Sequence, residues 1–126
     1  FGLVVTVLVQ SSSITTSLAV PLAAAGLLTL EQIFPYTLGA NVGTTITAIL
    51  AALAVGEVSA VSVAFAHMLF NMLGICIIWP VPAIRRLPIE LSVRLTRIAL
   101  RNWMIPVAWV IFFFYLLPFT VILLLR

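Results

Sequence analysis

Charged residues are missing from four long stretches of this sequence: 1–30, 32–56, 58–84 and 102–125. Each is longer than the roughly 20 apolar residues that carry a helix across about 30 Å of hydrocarbon. A helix satisfies its own backbone polar groups, as a bilayer interior demands. The chain therefore reads as an all-α, multi-pass integral membrane protein. Its composition agrees: 64% of the 126 residues are hydrophobic, with six basic and three acidic side chains. A soluble domain carries about a quarter charged residues, and nine charges cannot cover one of this size. A soluble monomer, a disordered segment and a nucleic-acid binder are excluded, the last because the arginines are not spread over a polar face. Cys76 has no partner cysteine, so a disulfide-stapled module is excluded too. A signal peptide is one short apolar run, not four. The sequence opens at Phe1 without Met or a polar lead-in, and reads as a piece of a longer polytopic protein.

The last two stretches read as conventional spans, 58–80 and 103–125. His67 and Asn71 lie one turn apart on one face of the first. Trp103 opens the second and Arg126 closes it; Pro106 and Pro118 are expected to kink it. Trp79, Trp103 and Trp109 fit an interfacial aromatic belt. Between the spans, five of the six arginines fall within 85–101. Glu90, Arg94, Arg97 and Arg101 take one helical face, and Leu91, Leu95 and Ile98 another. The spacing predicts an interfacial amphipathic helix over 85–101, with Pro88 in its first turn, facing the cytoplasm by the positive-inside rule.

The first two stretches are different. Seven of the eight residues from Gln10 to Ser17 are polar, in apolar surroundings. Gly39-Ala40-Asn41-Val42-Gly43-Thr44-Thr45 follows, with Gly26, Glu31, Gln32 and Pro35 marking a turn between them. Two glycines around an Asn, then two threonines, predict an opened backbone and a restarted helix. We expect a re-entrant hairpin over 1–30 with Gln10–Ser13 near its tip, and a broken helix over 33–56 interrupted at Gly39–Gly43. Gly39 and Gly43 also fit a small-residue packing face, a reading that the intervening Asn41 weakens.

Breaks of this kind suit ions. Free N–H groups at a helix start attract an oxyanion, and free carbonyls at a helix end suit a hard cation such as sodium. Ser and Thr hydroxyls can serve either, and Gln10 and Asn41 add amide groups. Neither motif carries a fixed charge, so anion and cation together come closest to neutrality. Lone Ser and Thr residues in membrane helices more often pack or bond back to their own backbone. His67 and Asn71 fit a helix-packing hydrogen bond or a gating role. A metal site lacks partners for His67, and no phosphate loop, dinucleotide signature or zinc motif is present.

Gln10-Ser11-Ser12-Ser13 followed by Gly39-Ala40-Asn41-Val42-Gly43-Thr44-Thr45 resembles the second-repeat signature of the type II sodium–phosphate cotransporter family. The likeness continues through His67-Met68-Leu69-Phe70-Asn71, Trp79-Pro80-Val81-Pro82 and Arg86-Leu87-Pro88-Ile89, and so covers nearly the whole chain. It implies half of an inverted-repeat transporter, with the first repeat lying elsewhere in the same protein. It further implies a non-enzymatic sodium:phosphate symporter of the plasma (inner) membrane, with inorganic phosphate and sodium as partners, sodium as the coupling ion and no other cofactor. By position, Gln10, Ser11, Ser12, Ser13, Asn41, Thr44 and Thr45 would line the phosphate and sodium sites. Three other readings stand beside it: a sodium- or proton-coupled transporter of another oxyanion, an intramembrane serine hydrolase using His67, and a non-transporting scaffold.

Overall fold

The computed structural model describes residues 1–125; Arg126, expected to close the last span, lies outside the described residues. Those residues form helices and, among them, no strand. The first helix, α1 (Gly2–Val9), stops at Gln10, whose φ of 56° is left-handed. That conformation is uncommon for a residue with a side chain, and here it reverses the chain. Ser11 is extended and caps α2 (Ser12–Ala24), its Oγ accepting from the Ile14 N–H at 3.3 Å. The second helix returns beside the first: Leu22 and Phe1 line one cleft, while Gln10 lies at the opposite end. Gln10 and Ser11 are thus the tip of a helical hairpin.

Gly26, at φ 71°, turns the chain toward α3 (Leu30–Val55). A capping box opens this helix. The Thr29 hydroxyl accepts from the Gln32 N–H at 3.3 Å, and the Gln32 amide oxygen accepts from the Thr29 N–H at 2.9 Å. Of the residues expected to mark a turn, only Gly26 lies in it. Glu31, Gln32 and Pro35 belong to the helix, because the cap at Thr29 starts it before them.

The interruption expected at Gly39–Gly43 is absent. The third helix runs unbroken for 26 residues, and neither glycine takes a positive φ. Their missing side chains serve close approach instead. A Cβ on Gly43 would stand 2.7 Å from Thr6 Cβ and 2.9 Å from the Leu3 carbonyl oxygen. A Cβ on Gly39 would stand 3.1 Å from the Leu3 nitrogen, and one on Gly2 would collide with the Tyr36 carbonyl. Spaced one turn apart, Gly39 and Gly43 form the groove that receives α1, so the packing reading wins over the broken helix. The Tyr36 hydroxyl ties the other hairpin arm down, donating to the Thr15 carbonyl at 2.8 Å. Tyr36→Phe in the full-length parent is expected to lower stability by about 1 kcal/mol, the net worth of one such bond, as thermal unfolding would read.

Gly56, at φ 77°, ends α3, and α4 (Val58–Ile78) folds back along it. Trp79 reaches Pro35 and Leu38 near the start of α3, and stacks under the Arg85 guanidinium at 4.9 Å. The interior is built of small side chains: Ala19, Ala40, Ala52, Ala64, Thr6, Thr15 and Thr45 are buried, with Val42. Large apolar groups such as Leu69 and Phe70 point outward. That inversion suits helices surrounded by lipid, where close backbone approach, not burial of bulk, drives association.

Contacts divide the chain into two units, Phe1–Arg85 and Arg86–Arg126. Helix α5 (Pro82–Arg101) crosses the boundary. It begins earlier than expected because Pro82, not Pro88, takes the first-turn position; Pro88 is interior. The last helix, α6 (Met104–Leu124), starts where Asn102 Oδ1 accepts from the Met104 N–H at 3.0 Å. Pro106 falls in its first turn, where no intrahelical bond is lost. Pro118 follows a π-helical turn over Phe112–Leu116, in which the Leu117 N–H bonds to the Phe112 carbonyl. The widened turn relieves the clash that a proline imposes on the carbonyl four residues back. Helices α3, α4 and α6 are each long and apolar enough to cross a bilayer. The hairpin arms, at about 12 Å and 20 Å by helical rise, are not.

Candidate ion-binding site

The tip of the hairpin and one face of α3 meet at a cavity of about 560 Å³ lined by Gln10, Thr44, Thr47, Ala48, Leu50 and Ala51. Gln10 is exposed at the turn. Directly after it, Ser11, Ser12 and Ser13 form the cap and first two residues of α2. The Ser11 hydroxyl is engaged by Ile14, and the Thr15 and Thr16 hydroxyls donate back to the Ser11 and Ser12 carbonyls at 2.9 and 2.8 Å. These bonds leave the Ser12 and Ser13 hydroxyls and the Gln10 amide for other partners. The Ser12 and Ser13 N–H groups also precede the first intrahelical bond, which runs from Thr15 to the Ser11 carbonyl. Two free N–H groups, two hydroxyls and a helix dipole thus share one spot.

Across the cavity, Thr44 donates to the Ala40 carbonyl at 3.1 Å and Thr47 to the Thr44 carbonyl at 2.8 Å. A back-bonded hydroxyl keeps its oxygen lone pairs, so both can still accept a cation. Asn41 is exposed one turn before Thr44 on the same face. Thr45 sits apart: it is fully buried, with its hydroxyl donated to the Val42 carbonyl at 2.7 Å. The structure therefore brings together Gln10 and Thr44, leaves the three serines outside that lining although they follow Gln10 directly in the chain, and encloses Thr45.

Thr47 was not among the sequence candidates. Its signal was present in Thr44-Thr45-Ile46-Thr47, where the third threonine shares a face with the first. Thr6 was missed as well. Its Oγ1 is buried without a hydrogen-bond partner, and its Cβ fills the groove at Gly43. Nothing in an isolated threonine among valines announces such a position.

His67 and Asn71 part company. Asn71 Nδ2 donates to the Asn41 carbonyl at 3.4 Å, joining α4 to α3. His67 is exposed and lines a separate alanine-rich groove with Ser59. Ser59 and His67 are eight residues apart on one helix, about 12 Å along its axis and beyond hydrogen-bond reach. Among the described residues, no three His, Cys, Asp or Glu side chains converge on a metal-binding position.

Unbroken apolar helices, a small-residue interior and an uncharged polar hairpin tip are those of an all-α membrane protein. The sequence comparisons give its kin. Residues 1–78 match the Na+/Pi-cotransporter family, and the chain belongs to that family. It is 44% identical over 123 residues to the human sodium-dependent phosphate transport protein 2B, which covers 95% of this chain. The rat protein of that name is 45% identical over the same length, and the sheep transport protein 2A is 42% identical over 120 residues. The chain spans only 18% of the length of the human relative and 19% of the sheep one. These relatives are named transporters, not enzymes. No solved structure matches the chain.

Proposed function

We propose that this chain supplies one half of the binding site of a sodium-coupled symporter of inorganic phosphate. The observation that carries the reading is the seating of Gln10 against Thr44 in one cavity, with the free Ser12–Ser13 helix start directly after Gln10 in the chain, in a member of this family. The α2 N-terminus and the two serines donate to phosphate oxygens. The Gln10 and Asn41 amide oxygens, with Thr44 and its neighbours, accept sodium. Neither segment holds a fixed charge, so phosphate alone would leave an uncompensated anion in a low-dielectric site. Bound sodium supplies the countercharge, which makes joint binding the favoured state.

The family likeness supports a wider architecture as part of the same proposal. Both hairpin arms are too short to cross, so the hairpin enters and leaves by one side of the bilayer. A first repeat elsewhere in the same protein completes the site from the opposite direction, and one repeat moves against the other around it. Helix α5 lies in the headgroup layer on the cytoplasmic side of a plasma membrane.

The test is radiolabelled phosphate uptake by the full-length parent in proteoliposomes, with and without an inward sodium gradient. Uptake that requires sodium is the expected result. Equal uptake under a proton gradient alone, or uptake abolished by excess sulfate but not by arsenate, would overturn phosphate–sodium coupling in favour of another ion pair. No uptake from folded, oriented protein would overturn transport itself.

A further inference from the structure

Helix α5 carries two exposed faces of opposite character. Arg86, Glu90, Arg94, Arg97 and Arg101 follow one another at helical spacing along one flank, and all five are exposed. Leu87, Leu91, Leu95 and Ile98 form the adjoining flank and are 54%, 54%, 38% and 43% exposed. The side-chain hydrogen bond within this helix is local, from Thr96 to the Ser92 carbonyl, and engages no guanidinium. Short connections join α5 to α4 and α6, both apolar enough to span, with Trp79 before it and Trp103 after it.

We propose that this surface is a docking site for anionic glycerophospholipid, with the arginines holding headgroup phosphates and the leucine flank set among the acyl chains. Charge complementarity and the adjoining apolar flank select this occupant. Four arginines against one glutamate give the flank a net positive charge, and guanidinium forks match phosphate oxygens two at a time. Free inorganic phosphate would meet the same arginines but has no use for the apolar flank beside them. A zwitterionic headgroup offers its phosphate with a compensating cation attached. Lipid contact is also enforced by connectivity, since a helix tethered at both ends to spanning segments cannot leave the membrane surface. The inference rests on the interfacial placement of α5 and not on what the protein transports, so its failure would leave the symporter reading standing.

The experiment uses the full-length parent in vesicles, with spin-labelled phosphatidylserine or phosphatidylcholine as the probe and the immobilised lipid fraction as the readout. Wild type is expected to prefer phosphatidylserine, and each arginine in full contact contributes about fivefold at low salt. The preference should shrink as salt screens it, persist when inorganic phosphate replaces chloride at matched ionic strength, fall in R94Q/R97Q/R101Q and return in the corresponding triple Lys variant. Competition by inorganic phosphate would reassign the arginines to free anion and overturn lipid docking. An unchanged preference in the triple Gln variant, or equal immobilisation of both lipids by wild type, would overturn it too. Should the triple variant not fold, R97Q alone alters one exposed side chain, and an undiminished preference in that variant would overturn lipid docking equally.

Discussion

Gly43→Ala in the full-length parent is expected to lower the unfolding midpoint and to abolish most transport, although alanine is the better helix former. The helix-propensity gain is about 1 kcal/mol. Against it stands a methyl group placed 2.7 Å from Thr6 Cβ and 2.9 Å from the Leu3 carbonyl oxygen. Neither obstacle is the far end of a flexible chain. One is a branched carbon next to the backbone, and the other is the backbone itself. Helix α1 must therefore move outward, at an overpacking cost of about 1–3 kcal/mol. A displaced α1 carries Gln10 and the serine cap with it, so the site loses its geometry as well. Gly74→Ala is the control. A Cβ there meets no atom within 4 Å, and the same change should stabilise by about 1 kcal/mol. A midpoint that rises equally for both variants would contradict the close packing of α1 on α3.

Ser12→Ala and Ser13→Ala are each expected to cut phosphate kcat/KM by about tenfold to a hundredfold, the worth of one hydrogen bond to a charged group. Their unfolding midpoints should hardly move, because neither hydroxyl is committed within the chain. Thr45→Val is expected to do the reverse. Its hydroxyl is fully buried and bonded to the Val42 carbonyl, so its loss should lower stability by about 1 kcal/mol and leave the KM for phosphate and sodium unchanged. Uptake assays and thermal unfolding on the same preparations separate the two behaviours. A Thr45→Val variant with weakened sodium dependence and normal stability would place that hydroxyl in the ion site after all.

The membrane character of the chain was legible because it depends only on composition along the sequence. Charge cannot enter hydrocarbon without a large penalty, so uncharged stretches of spanning length announce themselves wherever they fold. The extents of α4 and α6 followed from that. So did the amphipathic region of α5, although its start moved to Pro82 because two prolines compete for one first-turn position. The polar run from Gln10 was equally visible as an exception to its surroundings. The site was less so: Gln10, the serines and Thr44 could be named, but which of them share a cavity could not.

Gly39 and Gly43 mark where sequence stopped deciding. A glycine is used for two unrelated reasons, to reach a positive φ or to let another backbone come close, and the residue is the same in both. Asn41 between them favoured the first reading when only neighbours in sequence could be weighed. The deciding neighbours, Leu3 and Thr6, lie more than thirty positions away and touch α3 only after the hairpin has folded. The same holds for Thr45, which differs from Thr44 by one position and 100° of helical rotation, enough to turn one hydroxyl into the interior and leave the other at the cavity. Sequence alone determined that this chain has the apolar spans of a membrane protein and carries uncharged oxygen-rich segments among its apolar residues. Tertiary packing alone decided that the glycines seat a helix and that Thr44 faces a cavity while Thr45 is enclosed, because both depend on contacts between residues distant in sequence.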